Sequence, residues 1–140
     1  MIWITPLTLQ EINERARGSL SDHLGIEFTA VDDNSLTATM LIRPHTMQPM
    51  GIVHGGASAA LAETVGSAAG NYCVDQKKAV CVGIELNINH LRMMRSGLVK
   101  ATASPLHLGK QTQVWDIRIT EESGKLSAIA RLTLMVILKK

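Results

Sequence analysis

His54-Gly55-Gly56-Ala57-Ser58-Ala59-Ala60-Leu61-Ala62-Glu63-Thr64-Val65-Gly66-Ser67-Ala68-Ala69-Gly70 is a run of very small side chains broken by one carboxylate. Glu63 is the only formally charged side chain between Arg43 and Asp75. The spacing predicts a helix over roughly Gly55 to Val74. A helix with so little side-chain bulk can lie close against another element, such as a sheet wrapped around it. A carboxylate in that place is costly unless it is solvated or hydrogen-bonded, and such costs cluster where a group does chemistry. On a helix, Ala60, Glu63, Ser67, Gly70 and Asn71 share one face, and Leu61, Val65, Ala68 and Tyr72 another. Two readings of Glu63 stand: a solvent-facing polar stripe, or a sheltered carboxylate supported by Ser67 one turn later. Small neighbours, in place of the Lys, Arg and Gln of an ordinary exposed helix, favour the second.

The start of this helix is unusual. Glycines there leave backbone N–H groups free and unshielded. Such amides, aided by the helix dipole, can hold a developing oxyanion, although a plain flexible turn reads the same way. Gln48, in the preceding loop, is a loop amide or a donor to a carbonyl or a water. His90 ends a strand, where regular alternation sets it on the face of Ile84 and Ile88. Arg92, Arg95 and Lys110 are single basic residues at strand ends, which face water or meet a phosphate.

Outward from the helix, Thr8-Leu9-Gln10-Glu11 has the capping-box pattern and predicts a short helix to about Arg17, ended by Gly18 and Ser19. Ile26 to Val31 and Ser35 to Arg43 read as a hairpin. In its second arm Leu36, Ala38, Met40 and Ile42 alternate with Thr37, Thr39, Leu41 and Arg43. Pro44 to Val53 reads as a loop. Four more strands are expected at Val80 to Leu91, Leu98 to His107, Gln111 to Thr120 and Leu126 to Leu138. The turns between them are Arg95-Ser96-Gly97, Leu108-Gly109-Lys110 and Glu122-Ser123-Gly124, and such short connections imply antiparallel neighbours. The class is α+β, a single domain over 1–140, with one antiparallel sheet covered on one face by the central helix. Its free edges invite a second copy.

The 140 residues are 46% hydrophobic and 19% charged, the balance of a folded globular domain. The net charge is +2 with scattered Lys and Arg, and aromatic residues total 3%. That leaves neither a basic block nor stacking surface for nucleic acid. Cys73 and Cys81 follow no metal or redox spacing, and reduced core thiols in a cytoplasmic protein are expected. Met1-Ile2-Trp3-Ile4-Thr5 lacks the basic start of a signal peptide. The Ala57 to Val74 run, rich in Gly, Ala and Ser around Glu63, argues against a membrane span. No nucleophile elbow, H-E-x-x-H, Walker or dinucleotide pattern occurs, so neither metal nor cofactor is expected.

Gln48-Pro49-Met50-Gly51-Ile52-Val53-His54-Gly55-Gly56, continued through Glu63 to Ser67, resembles the signature of the PaaI-like hotdog-fold acyl-CoA thioesterases. Val82-Gly83-Ile84-Glu85-Leu86-Asn87, Asn89-His90 and Pro105-Leu106-His107-Leu108-Gly109 match it too, so the likeness covers nearly the whole chain. In pattern it is most like the branches that act on 1,4-dihydroxy-2-naphthoyl-CoA and that proofread enterobactin assembly. The resemblance implies a hotdog fold, with the sheet wrapped on the central helix. It also implies a homotetramer built as a dimer of dimers, and active sites at the dimer seam.

Carried over residue by residue, Glu63 is the catalytic carboxylate, as base or nucleophile. The Gly55 amide polarises the thioester carbonyl. Gln48, His54 and Ser67 orient the acyl group and the water, and His90 lines the site. Gly83, the stretch His90, Leu91, Arg92, Met93, and the stretch His107, Leu108, Gly109, Lys110, Gln111, Thr112 match positions that hold the CoA arm and nucleotide. Met50 stands where close relatives have Phe and is expected to shape the acyl pocket, and Met93-Met94 replaces a stretch that often holds Pro. The implied reaction is hydrolysis of an acyl- or aroyl-CoA, or a carrier-protein thioester, without a cofactor. A non-catalytic acyl-CoA-binding domain and an enoyl-CoA hydratase on the same fold remain as alternatives, because fold alone does not choose among them.

Overall fold

The computed structural model describes all 140 residues. The elements are α1 (Leu9–Ala16), α2 (Leu20–His23), β1 (Ile26–Val31), β2 (Leu36–Leu41), a 3-10 turn (Pro44–Thr46), α3 (Gly55–Tyr72), β3 (Ala79–His90), β4 (Leu98–Leu108), β5 (Thr112–Glu121) and β6 (Leu126–Leu138). The six strands form one antiparallel sheet in the order β1-β2-β4-β5-β6-β3. After the β1–β2 hairpin the chain crosses beneath the sheet as α3. It emerges at the far edge as β3, and β4, β5 and β6 then fill the space between, so β3 and β4 are not the neighbours expected from the turn at Arg95-Ser96-Gly97: the chain from His90 to Leu98 crosses the sheet instead. The sheet therefore wraps around the central helix, as expected.

Alternation holds where the sequence shows it. Leu36, Ala38 and Met40 of β2, Val99, Ala101 and Ala103 of β4, and Trp115, Ile117 and Ile119 of β5 are all buried against α3. On the opposite face of the sheet, the Thr37 and Thr102 hydroxyls bond each other at 3.0 Å. Each fully buried Leu or Ile contributes about 1.5–3 kcal/mol of transfer free energy.

The helix contributes Leu61, Ala62, Val65 and Ala69, all at 0% exposure. Between them Gly66 and Gly70 meet the sheet directly. A Cβ on Gly66 would come within 2.6 Å of Leu132 Cδ2 and 2.9 Å of Ile117 Cδ1, and one on Gly70 would collide with Leu134 and Gln113. Gly70 thus belongs to the sheet-facing side, not to the face of Glu63 and Ser67 as expected. Helical wheel position alone cannot assign a glycine, which carries no side chain to declare its face.

Several details differ from the expectations. Ser19 does not simply end α1: its hydroxyl accepts from the Asp22 amide and opens the four-residue α2. Thr8 accepts from the Glu11 amide at 3.2 Å. The Glu11 carboxylate, however, is met by the Thr8 hydroxyl at 3.3 Å, so the box is closed between side chains. In β3, Gly83 pairs with Leu134 and Glu85 with Thr133, leaving Ile84 as the extra residue of a bulge. Ile84 is exposed, whereas Leu86 and Ile88 pack against the core. Ile84 and Ile88 therefore do not share a face, because a bulge flips the alternation beyond it.

Replacing Gly70 by Ala is expected to destabilise the fold by about 1–3 kcal/mol, the usual cost of overpacking. That outweighs the roughly 1 kcal/mol gain in helix propensity. Urea unfolding midpoints of the variant and the wild type measure the difference.

Candidate active site

The N-terminus of α3 is held by a small hairpin. Gln48 and Gly51 close a turn through a Gly51 N–H···O bond of 3.0 Å. Pro49 fits its second position and Gly51 takes the left-handed φ of 76° after it. Met47 and Val53 bridge across it, and the His54 amide donates to Thr46 O at 2.8 Å. The result sets Gln48, half-buried, beside the helix start.

His54 is the helix cap. Its Nδ1 accepts the Gly56 amide at 2.8 Å, which leaves the ring proton on Nε2. The amides of Ala57 and Ser58 donate to His54 O. Among the first four helical amides, Gly55 alone has no acceptor in the chain. It is a free, dipole-assisted donor of the kind that receives a negative oxygen.

Beside it, the Gln48 side-chain oxygen accepts from the Met50 amide. That bond fixes the amide group and leaves the Gln48 NH₂ free to donate. His90 completes the group: a Cβ on Gly55 would stand 3.1 Å from His90 Nε2, so the imidazole lies against the helix start. Beyond the bulge at Ile84, His90 lies on the helix side of β3. Beyond it, Leu91 and Arg92 are tied down by Ser127, whose carbonyl accepts from their amides at 2.7 and 3.0 Å. The Ser127 hydroxyl donates to Arg92 O at 3.0 Å.

These pieces enclose a cavity of about 340 Å³ lined by Gln48, Ile52, Val53, Gly55, Ser58, His90, Leu91, Arg92, Met93 and Ser127, within the size range of small-molecule sites. Ile52, Val53, Ser58 and Ser127 were not singled out in the sequence. Ser58 and Ser127 are almost fully buried. Their one readable signal was position, a turn after the helix start and at the head of a strand. A larger depression of about 890 Å³ between the Met1–Leu7 segment and Val31–Asp33 contains none of the candidate residues. Chemistry, not size, selects the smaller one.

Glu63 lies elsewhere along the helix. Eight residues beyond Gly55, it stands about 12 Å away by helical rise. It is half-buried, and its carboxylate rests on β3 at Gly83, where any Cβ would collide with it. Gly83 is therefore the residue that admits Glu63 to the strand. Burial pushes the Glu63 carboxyl above the usual range, and the nearby Ser67 hydroxyl partly opposes this. Glu63 joins neither of the chain's two ion pairs, Lys78–Asp75 and Arg118–Asp116.

The remaining candidates lie further off. The β4–β5 turn, with His107 to Thr112, sits by the C-terminal end of α3, where Leu108, Gly109 and Lys110 line a cavity with Cys73, Val74 and Asp75. The Gly109 amide donates to Thr112 O at 2.9 Å, and a Cβ there would meet His107 Nε2 at 2.5 Å. Met50 is 71% exposed at the turn tip and lines no part of the 340 Å³ cavity. One chain therefore brings Gln48, His54, Gly55 and the His90–Met93 stretch together. It holds Glu63, Ser67 and Gly83 as a second group and His107–Thr112 as a third. No set of three or more His, Cys, Asp or Glu side chains is arranged to hold a metal ion, and no helix is long and apolar enough to cross a membrane.

The family model of the Thioesterase superfamily matches residues 50–128. The esterase PA1618 of Pseudomonas aeruginosa is 50% identical over 97% of this chain and 94% of its own. The crystal structure of a glutamine-to-alanine variant of that thioesterase superposes with a TM-score of 0.97, at 48% identity, over 99% of this chain and 100% of that one. The 1,4-dihydroxy-2-naphthoyl-CoA hydrolase of Escherichia coli is 43% identical over 98% of this chain and 100% of its own. The Staphylococcus aureus protein SAV0944 is 33% identical, with a TM-score of 0.82 over 86% of this chain and 99% of that one. It has been crystallised as a glutamate-to-alanine variant and, described as a thioesterase, as a glutamine-to-alanine variant.

The raised Glu63 carboxyl has a consequence for stability. A carboxyl whose folded pKa lies above its unfolded value favours folding most fully at acid pH and loses that contribution as pH rises through the folded pKa. Glu63→Gln removes the charge and keeps the shape. It is expected to raise the urea midpoint at neutral pH and to leave it unchanged below the ordinary carboxylate range.

Proposed function

The chain belongs to the thioesterase superfamily and hydrolyses thioesters, and we propose that its substrate is an acyl- or aroyl-CoA whose carbonyl docks at the Gly55 amide. The observation that carries this reading is that Gly55, whose N–H has no acceptor in the chain, and Gln48, whose NH₂ is free, line one cavity. Two such donors meeting one oxygen would polarise a carbonyl and receive the charge that develops on it. The half-apolar lining, with Ile52, Val53, Leu91 and Met93, suits an acyl or aromatic group. The relative named for 1,4-dihydroxy-2-naphthoyl-CoA supports an aroyl group of one or two rings. With the hydrolase relatives on the page, the non-catalytic and hydratase alternatives fall away.

Glu63 is the carboxylate of the reaction. In the S. aureus relative the substituted glutamine and glutamate stand fifteen residues apart, as Gln48 and Glu63 do here. Glu63 stands too far from Gly55 to act on the same carbonyl, so the complete site takes Glu63 and Ser67 from one chain and Gln48, Gly55 and His90 from a second. As base, Glu63 takes a proton from water while the water oxygen bonds the carbonyl carbon. The tetrahedral oxyanion then collapses, the C–S bond breaks, and the thiolate leaves with the proton. Its raised pKa suits that role. As nucleophile, Glu63 would first bond the carbonyl carbon itself and expel the thiolate, and water would open the resulting anhydride.

Either path is complete with groups already on the chain, so neither metal nor cofactor enters the proposal. The CoA nucleotide would lie along His107–Thr112, where Lys110 offers a cation to phosphate. Two free, buried cysteines suit a reducing cytoplasm, and a homotetramer is the proposed assembly.

Thiol release from benzoyl-CoA and from longer acyl-CoAs tests the reading. Glu63→Gln is expected to lose at least about a hundredfold in kcat, the lower range for one acid–base group. Retention of most turnover removes Glu63 from the chemistry. Co-expressing Glu63→Gln chains with Gln48→Ala chains is expected to restore turnover absent from either alone, because a mixed pair rebuilds one intact site.

The pH profile of kcat/KM gives a second check. The acid limb is expected above the ordinary glutamate range, and Ser67→Ala is expected to move it higher by removing the hydroxyl that opposes the burial shift.

A further inference from the structure

We propose that the Ser58 hydroxyl determines specificity by hydrogen-bonding a hydroxyl carried on the acyl group of the substrate. This rests on the reading that the thioester carbonyl docks at the Gly55 amide. It goes beyond that reading by naming the part of the substrate that the cavity floor selects.

Ser58 is 2% exposed, and its hydroxyl takes part in no hydrogen bond of the chain. Tyr72 OH is the one side-chain polar atom that is both sealed from solvent and without a partner. Ser58 Oγ also lacks a partner, so it keeps a trace of open surface. The open space beside it is the 340 Å³ cavity that Ser58 lines.

A serine inside a helix commonly turns its hydroxyl to the carbonyl four residues back. Here that carbonyl, His54 O, already accepts from the Ala57 and Ser58 amides at 2.9 and 3.1 Å. The hydroxyl is left without an outlet in the fold, and burying it unpaired costs stability. Ala57, Ala59 and Ala60 surround it in sequence, and alanine at position 58 would also be the better helix former. A ligand that bonds the hydroxyl offsets both costs.

Depth tells which part of the ligand this is. His90, Leu91, Arg92 and Met93 are exposed at the cavity rim, whereas Ser58 and Ser127 are buried at its floor. A CoA arm is too long for the cavity and leaves over the rim, so the acyl group lies toward the floor. The Ser127 hydroxyl is committed to Arg92 O at 3.0 Å. Of the two floor hydroxyls, that of Ser58 is the free one.

Distance excludes the thioester oxygen itself. Ser58 stands three residues beyond Gly55, about 5 Å along the helix axis. Its side chain leans back over the first turn, but an oxygen held by the Gly55 N–H sits past the helix tip, on the far side of that amide. The gap of about 5–6 Å is too long for a hydrogen bond. A ring hydroxyl meta or para to the carbonyl spans it. An ortho hydroxyl lies beside the carbonyl oxygen and falls short. Because a serine hydroxyl both donates and accepts, it pairs with such a group in either sense.

The test measures kcat/KM of wild type and full-length Ser58→Ala on benzoyl-CoA and on its ortho-, meta- and para-hydroxy derivatives. Wild type is expected to favour the meta- or para-hydroxy ester over benzoyl-CoA by about tenfold, the worth of one bond to a group otherwise left unpaired. Ser58→Ala is expected to erase that ratio, whatever happens to benzoyl-CoA itself. Its urea midpoint is expected not to fall, since no bond within the fold is lost. An unchanged ratio overturns the role of Ser58, including the case of an equal loss on all four esters, which marks a contact with the CoA arm. So does a change confined to the ortho-hydroxy ester, or a lowered urea midpoint, which assigns the hydroxyl to the fold. Gln48→Ala is measured alongside. If it abolishes turnover while Ser58→Ala leaves the ratio intact, only the role of Ser58 has failed. If it keeps full turnover on every ester, docking at Gly55 fails and the role of Ser58 falls with it.

Discussion

Contact between a helix and a sheet with almost nothing between them governs this molecule. Ordinary helix–sheet packing keeps the two layers about 10 Å apart because side chains fill the gap. Here α3 presents Gly66 and Gly70 to β5 and β6, where even a methyl group would overlap Leu132, Ile117, Leu134 or Gln113. The Gln113 amide, 2% exposed, spends its hydrogen bonds on Gly70 O and Trp115 Nε1. A bared helix backbone is thereby satisfied from the sheet. The small residues set the sheet's curl, and the curl determines where the helix ends emerge.

From that contact follows the layout of the site. A helix of 18 residues spans about 27 Å. Its N-terminus opens between the Gln48 hairpin and the end of β3, its middle carries Glu63 to the same edge strand, and its C-terminus reaches the β4–β5 turn. All three groups of candidate residues border β3 or its continuation, but a single rod cannot bring its tip and its middle to one point. The two-chain site proposed above answers this with a second rod beside the first, and under that proposal assembly and catalysis become one constraint.

Much of this was legible in the sequence, and the gaps have physical causes. The alternation in β2 identified its core face, Leu36, Ala38 and Met40, although Thr37 on the other face is buried as well. The small-residue run identified α3 and drew attention to Glu63 and Gly55, because few other reasons exist to strip a helix of side chains. The bulge at Ile84 was hidden, since nothing in Gly83-Ile84-Glu85 distinguishes a bulged glycine from a flat one without the partner strand. With the bulge went the place of Ile84, which leaves the face that Ile88 and His90 share as expected. Gly83, expected beside the CoA arm, stands under Glu63. Met50, expected in the acyl pocket, is displayed at a turn tip. Ser58 was passed over as one small residue among many, although its neighbour one turn earlier caps the helix. The donor sense of Gln48 depends on its bond to the Met50 amide, a tertiary fact that composition cannot carry.

Glu63 shows why a site of this kind is costly to keep. Burial raises its carboxyl, the Ser67 hydroxyl only partly relieves it, and no cation stands within ion-pair range. A lysine or arginine beside it would relieve that burden. The same cation would lower the affinity for a proton that a general base needs. The surrounding alanines and glycines withhold such a partner, and Gly83 clears the strand so that the carboxylate can lie flat against it. The chain thus keeps one carboxylate sheltered, uncompensated and within reach of an edge that a second copy can complete. Fold stability alone would select against each of those choices, which is the strongest physical ground for assigning Glu63 to the chemistry.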